Sequence, residues 1–139
     1  MRAELIAPAP DGALSPSVVV LSTTDLVRFA GASSDFNLIH YDREYANSRG
    51  FDGVIVHGFF KAALLSEFLL AQTPPGSWIK RLSATYRGVD NVGAPIAMHG
   101  RRIGTGPDAH LVSFELWTEN PSGEVTTRCE ATLRWGAEE

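Results

Sequence analysis

Cysteine and positive charge are both scarce in this chain. The one cysteine among 139 residues, Cys129, excludes an internal disulfide bond and argues against a thiolate metal site. Lys and Arg number 12 against 16 Asp and Glu, giving a net charge of −4, and no basic cluster offsets it. We therefore expect no nucleic-acid-binding surface. The four histidines show no HExxH or comparable ligand spacing, so we expect no bound metal.

Long apolar runs are also missing. No stretch of about 18 apolar residues is present to cross a bilayer, and the opening MRAELIAPAPDG lacks the apolar centre of a signal peptide. We therefore expect a cytoplasmic protein that does not enter a membrane. The length suits one domain with a single core. Residues 1–16, rich in Pro, Ala and Gly, are predicted to be a loose lead-in, and residues 17–139 the domain.

Three helices are indicated by the sequence. Residues 22–33 begin with an N-cap signature and place apolar side chains at helical spacing. A short helix is predicted over residues 42–49, capped by Asp42. The third helix, about 57–72, is apolar on nearly every side, which is typical of a buried helix. Pro74 and the residues after it end this helix.

The remaining segments predict strands. Residues 124–135 alternate apolar and polar side chains, as expected of a strand with one wet face. Further strands are predicted at residues 17–22, 77–88, 94–104 and 110–119. One buried helix must then be covered by an antiparallel sheet of about five strands, so we predict an α+β fold in which the sheet wraps around the helix.

An acid, an amide and an imidazole lie close together in the segment SSDFNLIHYD. Asp35 and His40 are five residues apart, which leaves their side chains about 140° apart on a helix and on opposite faces of a strand. If they cooperate, residues 34–41 must be irregular. They can then act as general acid and base on one water molecule. Alternatively, Asp35 caps the following turn and His40 is a satisfied polar group. Asn37 is expected to hold the loop through a side-chain to backbone hydrogen bond.

Two further candidates lie at and within the buried helix. The N–H of Gly58 stands in the first turn, where unpaired donors and the helix dipole favour negative charge, so it is a candidate oxyanion donor. Alternatively, Gly58 only permits close packing of the helix on the sheet. The hydroxyl of Ser66 is expected to bond to the Ala62 carbonyl, as most serines within helices do, and substrate positioning is the alternative.

At these residues the chain resembles the MaoC-like, (R)-specific enoyl-CoA hydratase family. The family motif Asp-x-Asn-Pro-hydrophobic-His corresponds to DFNLIH, and its Ile-Val-His-Gly-Met element corresponds to IVHGF at residues 55–59. The resemblance covers roughly residues 17–135. Two departures stand out, because Leu38 replaces the usual proline of the motif and Phe59 replaces the common methionine.

The resemblance implies a hot-dog fold and the reversible hydration of a trans-2-enoyl thioester to an (R)-3-hydroxyacyl thioester. It makes Asp35 and His40 the catalytic pair, Gly58 the oxyanion donor, Ser66 a substrate-positioning residue and Asn37 a loop-shaping one. No cofactor is expected, because the CoA or acyl-carrier-protein thioester is part of the substrate. The acyl group is expected to be short or medium, or to be shared with a partner subunit. A homodimer, or a heterodimer with a related hot-dog subunit, is also expected. The candidates for binding the carrier phosphates are Lys80, Arg81, Arg87 and Arg101.

Two other functions share this fold. A hot-dog acyl-CoA thioesterase typically places a catalytic acid on or near the central helix, where this chain offers only Glu67. A non-catalytic subunit of a heteromeric dehydratase tends to lack the acid–imidazole pair, whereas Asp35 and His40 are both present here. The sequence therefore favours a hydro-lyase.

Overall fold

The computed structural model describes residues 12–136, and these form one antiparallel sheet with helices on one side of it. The strands are β1 Ser17–Val20, β2 Trp78–Tyr86, β3 Pro95–Thr105, β4 Leu111–Glu119 and β5 Val125–Arg134. They are arranged in the order β1-β3-β4-β5-β2, so β1 and β2 are the two edge strands. The predicted five-stranded antiparallel sheet is confirmed.

The three predicted helices are present with slightly shorter limits. They are α1 Thr23–Ser33, α2 Arg43–Ser48 and α3 Gly58–Leu70. At the start of α1, the Ser22 hydroxyl accepts the Asp25 N–H while the Asp25 carboxylate accepts the Ser22 N–H, which is a complete capping box. Asp42 caps α2 by accepting the Tyr45 N–H at 2.9 Å, as predicted. No helix within residues 12–136 is long and apolar enough to cross a membrane.

The main core lies between α3 and the inner face of the sheet. Alternate residues of β4 point into it, as the period of two requires. The buried apolar side chains of this core are Leu14, Ala62, Leu65, Phe68, Leu69, Met98, Val112, Phe114, Leu116, Cys129, Ala131 and Leu133. Each large side chain buried in this way stabilises the fold by about 1.5–3 kcal/mol. The α+β arrangement of a sheet packed around one helix is therefore confirmed.

One face of α3 is exposed to solvent, whereas the all-apolar sequence predicts a helix that is buried on every side. Phe59 is 71% exposed and Leu70 is 39% exposed, so part of the apolar surface is uncovered in the single chain. Conversely, Lys61 is almost fully buried although it is the one cation in the apolar run. Apolar content alone does not report which side of a helix the sheet covers.

The described part of the predicted lead-in, residues 12–16, packs against β3. Leu14 donates its N–H to the Gly100 carbonyl at 2.8 Å, and its side chain is part of the main core. A Cβ at Gly100 would lie 2.7 Å from the side chains of Leu14 and Leu116, so glycine permits this close approach. These contacts hold residues 12–16 against the sheet. Residues 1–11 and 137–139 lie outside the described residues, and the boundary between lead-in and domain stays a prediction.

The segment between β1 and α3 covers the N-terminal end of α3. It includes α1, a single turn of 3-10 helix at Leu38–His40, and α2. A second, smaller core fastens this segment, and its buried members are Leu21, Leu26, Ala46, Val54, Val56 and Ile96. The loop that carries Asp35 and His40 contacts Ile55 and His57, the residues just before α3.

Candidate active site

Asp35 and His40 meet because the chain between them is not a regular helix or strand. The segment turns at Ser34, whose φ of 61° lies in the left-handed region, just after α1 ends. The Asn37 side chain accepts the Ile39 N–H at 3.2 Å, which starts the 3-10 turn. This turn directs His40 towards Asp35, so that His40 Nε2 lies 3.8 Å from Asp35 Oδ2. The loop turns in this way without the proline expected at position 38.

A backbone carbonyl sets the orientation of the His40 ring. His40 Nδ1 lies 2.7 Å from the carbonyl oxygen of Ile55, which can only accept a hydrogen bond, so Nδ1 carries the proton. In the neutral ring, Nε2 is therefore an acceptor that faces the Asp35 carboxylate, which is also an acceptor. The Asp35 side chain is 42% exposed, whereas His40 is buried. A water molecule, with two O–H donors, has the chemistry to bridge two such acceptors.

His57 supports the loop from beneath and was not predicted as a site residue. It is fully buried, and its ring stacks on His40 with centroids 3.7 Å apart. Its Nε2 lies 3.2 Å from the Asp35 backbone carbonyl, so Nε2–H donates to Asp35 and Nδ1 is the unprotonated atom. Burial, followed by the nearby His40, lowers the pKa of His57 below its ordinary value. A neutral His57 thus positions the Asp35 backbone.

Asp35, His40 and His57 also place three metal-ligating atoms within 4.8 Å of one another. A metal ion binds imidazole nitrogen in the plane of the ring, yet the rings of His40 and His57 are stacked at an interplanar angle of 21°. An ion in the plane of one ring would therefore lie well outside the plane of the other. His57 would also have to release the Asp35 carbonyl. The geometry disfavours a metal here, and the absence of a metal stays a prediction.

Gly58 opens α3 at the same end of the molecule. His57, the N-cap residue, makes no side-chain capping bond, and the first N–H groups of a helix have no acceptor within it. A Cβ on Gly58 would lie 3.1 Å from the ring of Tyr86, so the glycine also permits close packing. A role of Gly58 as an oxyanion donor is therefore compatible with a role in close packing. The exposed Phe59 stands beside this position, with its ring edge-on to Tyr86.

Ser66 is not brought to the other candidates. Its hydroxyl donates to the Ala62 carbonyl at 2.9 Å, as most helical serines do. It also lies eight residues beyond Gly58, or about 12 Å along the helix. Glu67, one residue farther, is exposed and lines a cavity of about 440 Å³ between β1 and α3. Neither Asp35 nor His40 lines this cavity.

The four basic residues considered for a carrier phosphate are placed differently. Arg101 is held by Glu115, with Nη2 2.6 Å from Oε2, and Arg128 binds the same carboxylate. Lys80 and Arg81 are exposed on the edge strand β2. Arg87 is also exposed and directly follows Tyr86, whose ring contacts Gly58. Arg87 is therefore the one of the four that is next in sequence to a residue packed against Gly58.

A known protein family matches the part of the chain that carries the candidate site residues. A family model described as "MaoC like domain" matches residues 8–99. A curated relative, the (R)-specific enoyl-CoA hydratase of Rhodospirillum rubrum, is 29% identical over 114 residues, covering 81% of this chain and 78% of the relative. Asp35, Asn37, His40 and Gly58 all fall inside the region that the family model matches.

Solved structures share the fold. An (R)-hydratase from A. caviae, involved in PHA biosynthesis, superposes with a TM-score of 0.81 at 24% identity, covering 87% of this chain and 92% of that one. A chain of the ChsH1-ChsH2 complex from Mycobacterium tuberculosis gives a TM-score of 0.81 at 18% identity, covering 88% and 94%. At these identities the likeness concerns the fold alone, and it confirms the hot-dog architecture.

Proposed function

Because the chain belongs to the MaoC-like domain family, whose members include hydro-lyases, we propose that it adds water reversibly to a trans-2-enoyl thioester to give an (R)-3-hydroxyacyl thioester. One observation carries this proposal. Asp35 Oδ2 lies 3.8 Å from His40 Nε2 near the start of α3, and in the neutral His40 ring both atoms are hydrogen-bond acceptors. Two acceptors cannot bond to each other directly, and a water molecule is the substrate that bridges them.

The proposed reaction uses this pair as general acid and base. The bridging water gives a proton to the pair as its oxygen bonds to C3, and the C2–C3 π electrons move towards the thioester carbonyl. The N–H of Gly58 then stabilises the enolate-like oxygen, a contribution of about 2.7–4 kcal/mol for a well-aimed donor. The pair returns a proton to C2, and the carbonyl re-forms. Water is consumed and nothing is oxidised, so no redox cofactor is required.

We propose that the acyl carrier and the partner chain follow the same family pattern. The substrate is a CoA or acyl-carrier-protein thioester of a short or medium acyl group, with the exposed Arg87 contacting a carrier phosphate. The edge strand β2 carries exposed aromatic side chains at Trp78 and Tyr86. Such an edge has unpaired backbone groups, which suits pairing with a second copy or with a related hot-dog subunit. Light scattering of the purified chain tests this assembly.

Incubation of the purified protein with crotonyl-CoA tests the reaction. Loss of the enoyl absorbance without release of free thiol is expected. Release of free thiol would instead identify a thioesterase. Inactivity of the chain alone, followed by activity on mixing with a related subunit, would identify one half of a heteromeric dehydratase. A panel of enoyl-CoA chain lengths then defines the acyl group.

A further inference from the structure

A second acid–base pair lies buried beside the first turn of α3. Lys61 Nζ lies 2.8 Å from Asp90 Oδ2, and both side chains are 2% exposed. Lys61 also donates to the Gly88 carbonyl at 2.9 Å. The proposed reaction uses neither residue. Sequence patterns did not reveal this pair, since its members are 29 positions apart.

Hydrogen bonds from two strands complete the pair. Thr126 of β5 donates its hydroxyl to Asp90 Oδ2 at 2.6 Å, and Thr118 of β4 lies 2.8 Å from the Thr126 hydroxyl. Replacing a buried ion pair with apolar residues of similar volume is often neutral or stabilising. Stability alone is therefore a weak reason for this chain to bury Lys61 and Asp90, and a second role is worth seeking.

The backbone around Asp90 leads directly to the candidate active site. The Asp90 carbonyl accepts the Val56 N–H at 2.9 Å, and the Val92 N–H bonds to the Val54 carbonyl at 3.3 Å. Between these two bonds lies Ile55, the residue whose carbonyl binds His40 Nδ1. The loop that carries Asp90 therefore holds in place the carbonyl that orients His40.

Lys61 holds the other end of the same segment. Its backbone N–H donates to the His57 carbonyl at 3.2 Å, and Lys61 lies three residues after Gly58 in the first turn of α3. The ion pair thus joins the start of the helix to the loop that supports Ile55. On the basis of the proposed function, we propose that Lys61 and Asp90 are a positioning pair. The pair holds His40 Nε2 in a fixed position relative to the Gly58 N–H.

The Lys61–Asp90 pair is expected to maintain the tautomer of His40. If the Ile55 carbonyl shifts, His40 Nδ1 loses its acceptor, and the neutral ring is free to carry its proton on Nε2 instead. Nε2–H would then donate directly to Asp35 and would no longer accept a proton from the bridging water. Loss of the buried pair is therefore expected to reduce turnover more than substrate binding.

The test is the double variant Lys61→Met/Asp90→Asn, which removes both charges while an amide oxygen remains to accept the Thr126 hydroxyl. We expect kcat on crotonyl-CoA to fall about tenfold to a hundredfold, as for misplaced catalytic groups, with KM changed less than about twofold. Side-chain ¹⁵N NMR, with the His40 signals identified by their loss in His40→Ala, should show the Nδ1–H tautomer in the wild type and a mixture in the variant.

The matched control is Leu133→Val, which removes a methylene group from the main core, away from the segment with Ile55. It loses stability but should keep both kcat and the His40 tautomer. A milder variant, Thr126→Val, keeps both charges and removes one hydrogen bond to Asp90, so it gives a smaller effect in the same direction if the double variant does not fold.

The outcomes are separable. A folded double variant, or Thr126→Val where the double variant does not fold, with wild-type kcat and unchanged His40 signals would show that the pair only stabilises the fold. A wild-type protein without hydratase activity would refute the proposed function, and the NMR comparison would still decide whether the pair positions His40.

Discussion

Two acid–base pairs flank the start of α3, and they differ in every respect that matters for chemistry. Asp35 and His40 are 3.8 Å apart, and Asp35 is partly open to solvent. Lys61 and Asp90 are 2.8 Å apart and fully enclosed. In the closed pair a donor meets an acceptor, and threonine and a backbone carbonyl complete the set of bonds. In the open pair both Asp35 Oδ2 and Nε2 of the neutral His40 ring are acceptors. The closed pair is hydrogen-bonded within the protein and leaves no group for a substrate. Two facing acceptors, in contrast, need a hydrogen-bond donor between them.

The two pairs also differ in how the chain brings them together. The open pair is local, because a single irregular turn spans the five positions between Asp35 and His40. The closed pair is long-range and joins a helix to a loop between two strands. The predictions below test whether the open pair acts in chemistry and the closed pair acts through structure, beginning with the largest expected effect.

Removing either member of the open pair should abolish most turnover. Asp35→Asn and His40→Ala are each expected to lower kcat on crotonyl-CoA by about 10²–10⁴-fold, the usual contribution of general acid–base catalysis. Asp35→Asn should change the melting temperature little, because its side chain is partly exposed. Asp108→Asn, an exposed acid beside Arg134, is the control and should remain active. Full turnover in either site variant would remove the pair from the mechanism.

Removing one member of the closed pair should reduce stability as well as turnover. Lys61→Met leaves Asp90 buried without its cation, and the free energy of unfolding should fall by about 3–5 kcal/mol. Urea denaturation measures this change. Lys80→Met, at an exposed lysine of β2, is the matched control, for which a change within about 0.5 kcal/mol is expected. Equal effects of the two substitutions would contradict a closed, structural pair.

Gly58→Ala separates the two interpretations of the first turn of α3. The added methyl meets the Tyr86 ring at 3.1 Å, and we expect kcat/KM to fall about tenfold, less than the 10²–10³-fold loss of a whole oxyanion donor. In Gly58→Ala/Tyr86→Leu the packing is relieved and stability should return, while activity stays low. If activity returned together with stability, the glycine would serve packing only.

Acidification should destabilise the fold through His57. Burial lowers the pKa of His57 in the folded state below the ordinary value of 6.5, so below that pH the unfolded chain binds more protons than the folded one. The stabilising contribution of the neutral ring is complete above about pH 6.5 and is lost as the pH falls through the folded pKa. Melting temperatures between about pH 5 and 8 should fall less steeply for His57→Gln than for the wild type. Parallel curves would exclude this role.

Ser66→Ala should have the smallest effect. Its hydroxyl bonds within the helix, so kcat/KM should stay within about twofold and stability within about 0.5 kcal/mol of the wild type. Steady-state kinetics across several chain lengths checks this. A tenfold loss with any of them would make Ser66 part of the substrate site after all.

Much of the fold was predictable because its signals are local. The capping box at Ser22 and the cap at Asp42 mark the helix starts, and the period of two in β5 marks an inner and an outer face. The juxtaposition of Asp35 and His40 was predicted only on condition that the segment is irregular. The structure meets this condition through Asn37, whose side chain starts the 3-10 turn.

The residues that local patterns missed have distant partners. His57 reaches the Asp35 carbonyl from 22 positions away, and Lys61 reaches Asp90 from 29 positions away. A single histidine or lysine within an apolar segment carries no periodic signal that reports such a partner. The exposed face of α3 at Phe59 was missed for a related reason, since an apolar helix does not reveal how much of it the sheet covers.

By itself, the sequence determined the elements of this protein and the short motif that holds an acid and an imidazole, because capping, periodicity and turn chemistry act between neighbouring residues. Only the tertiary structure decided the tautomer of His40, the neutral state of His57 and the burial of Lys61 against Asp90. These properties depend on hydrogen bonds and desolvation supplied by segments far along the chain, which exist only once the sheet, the loop and the helix are packed together.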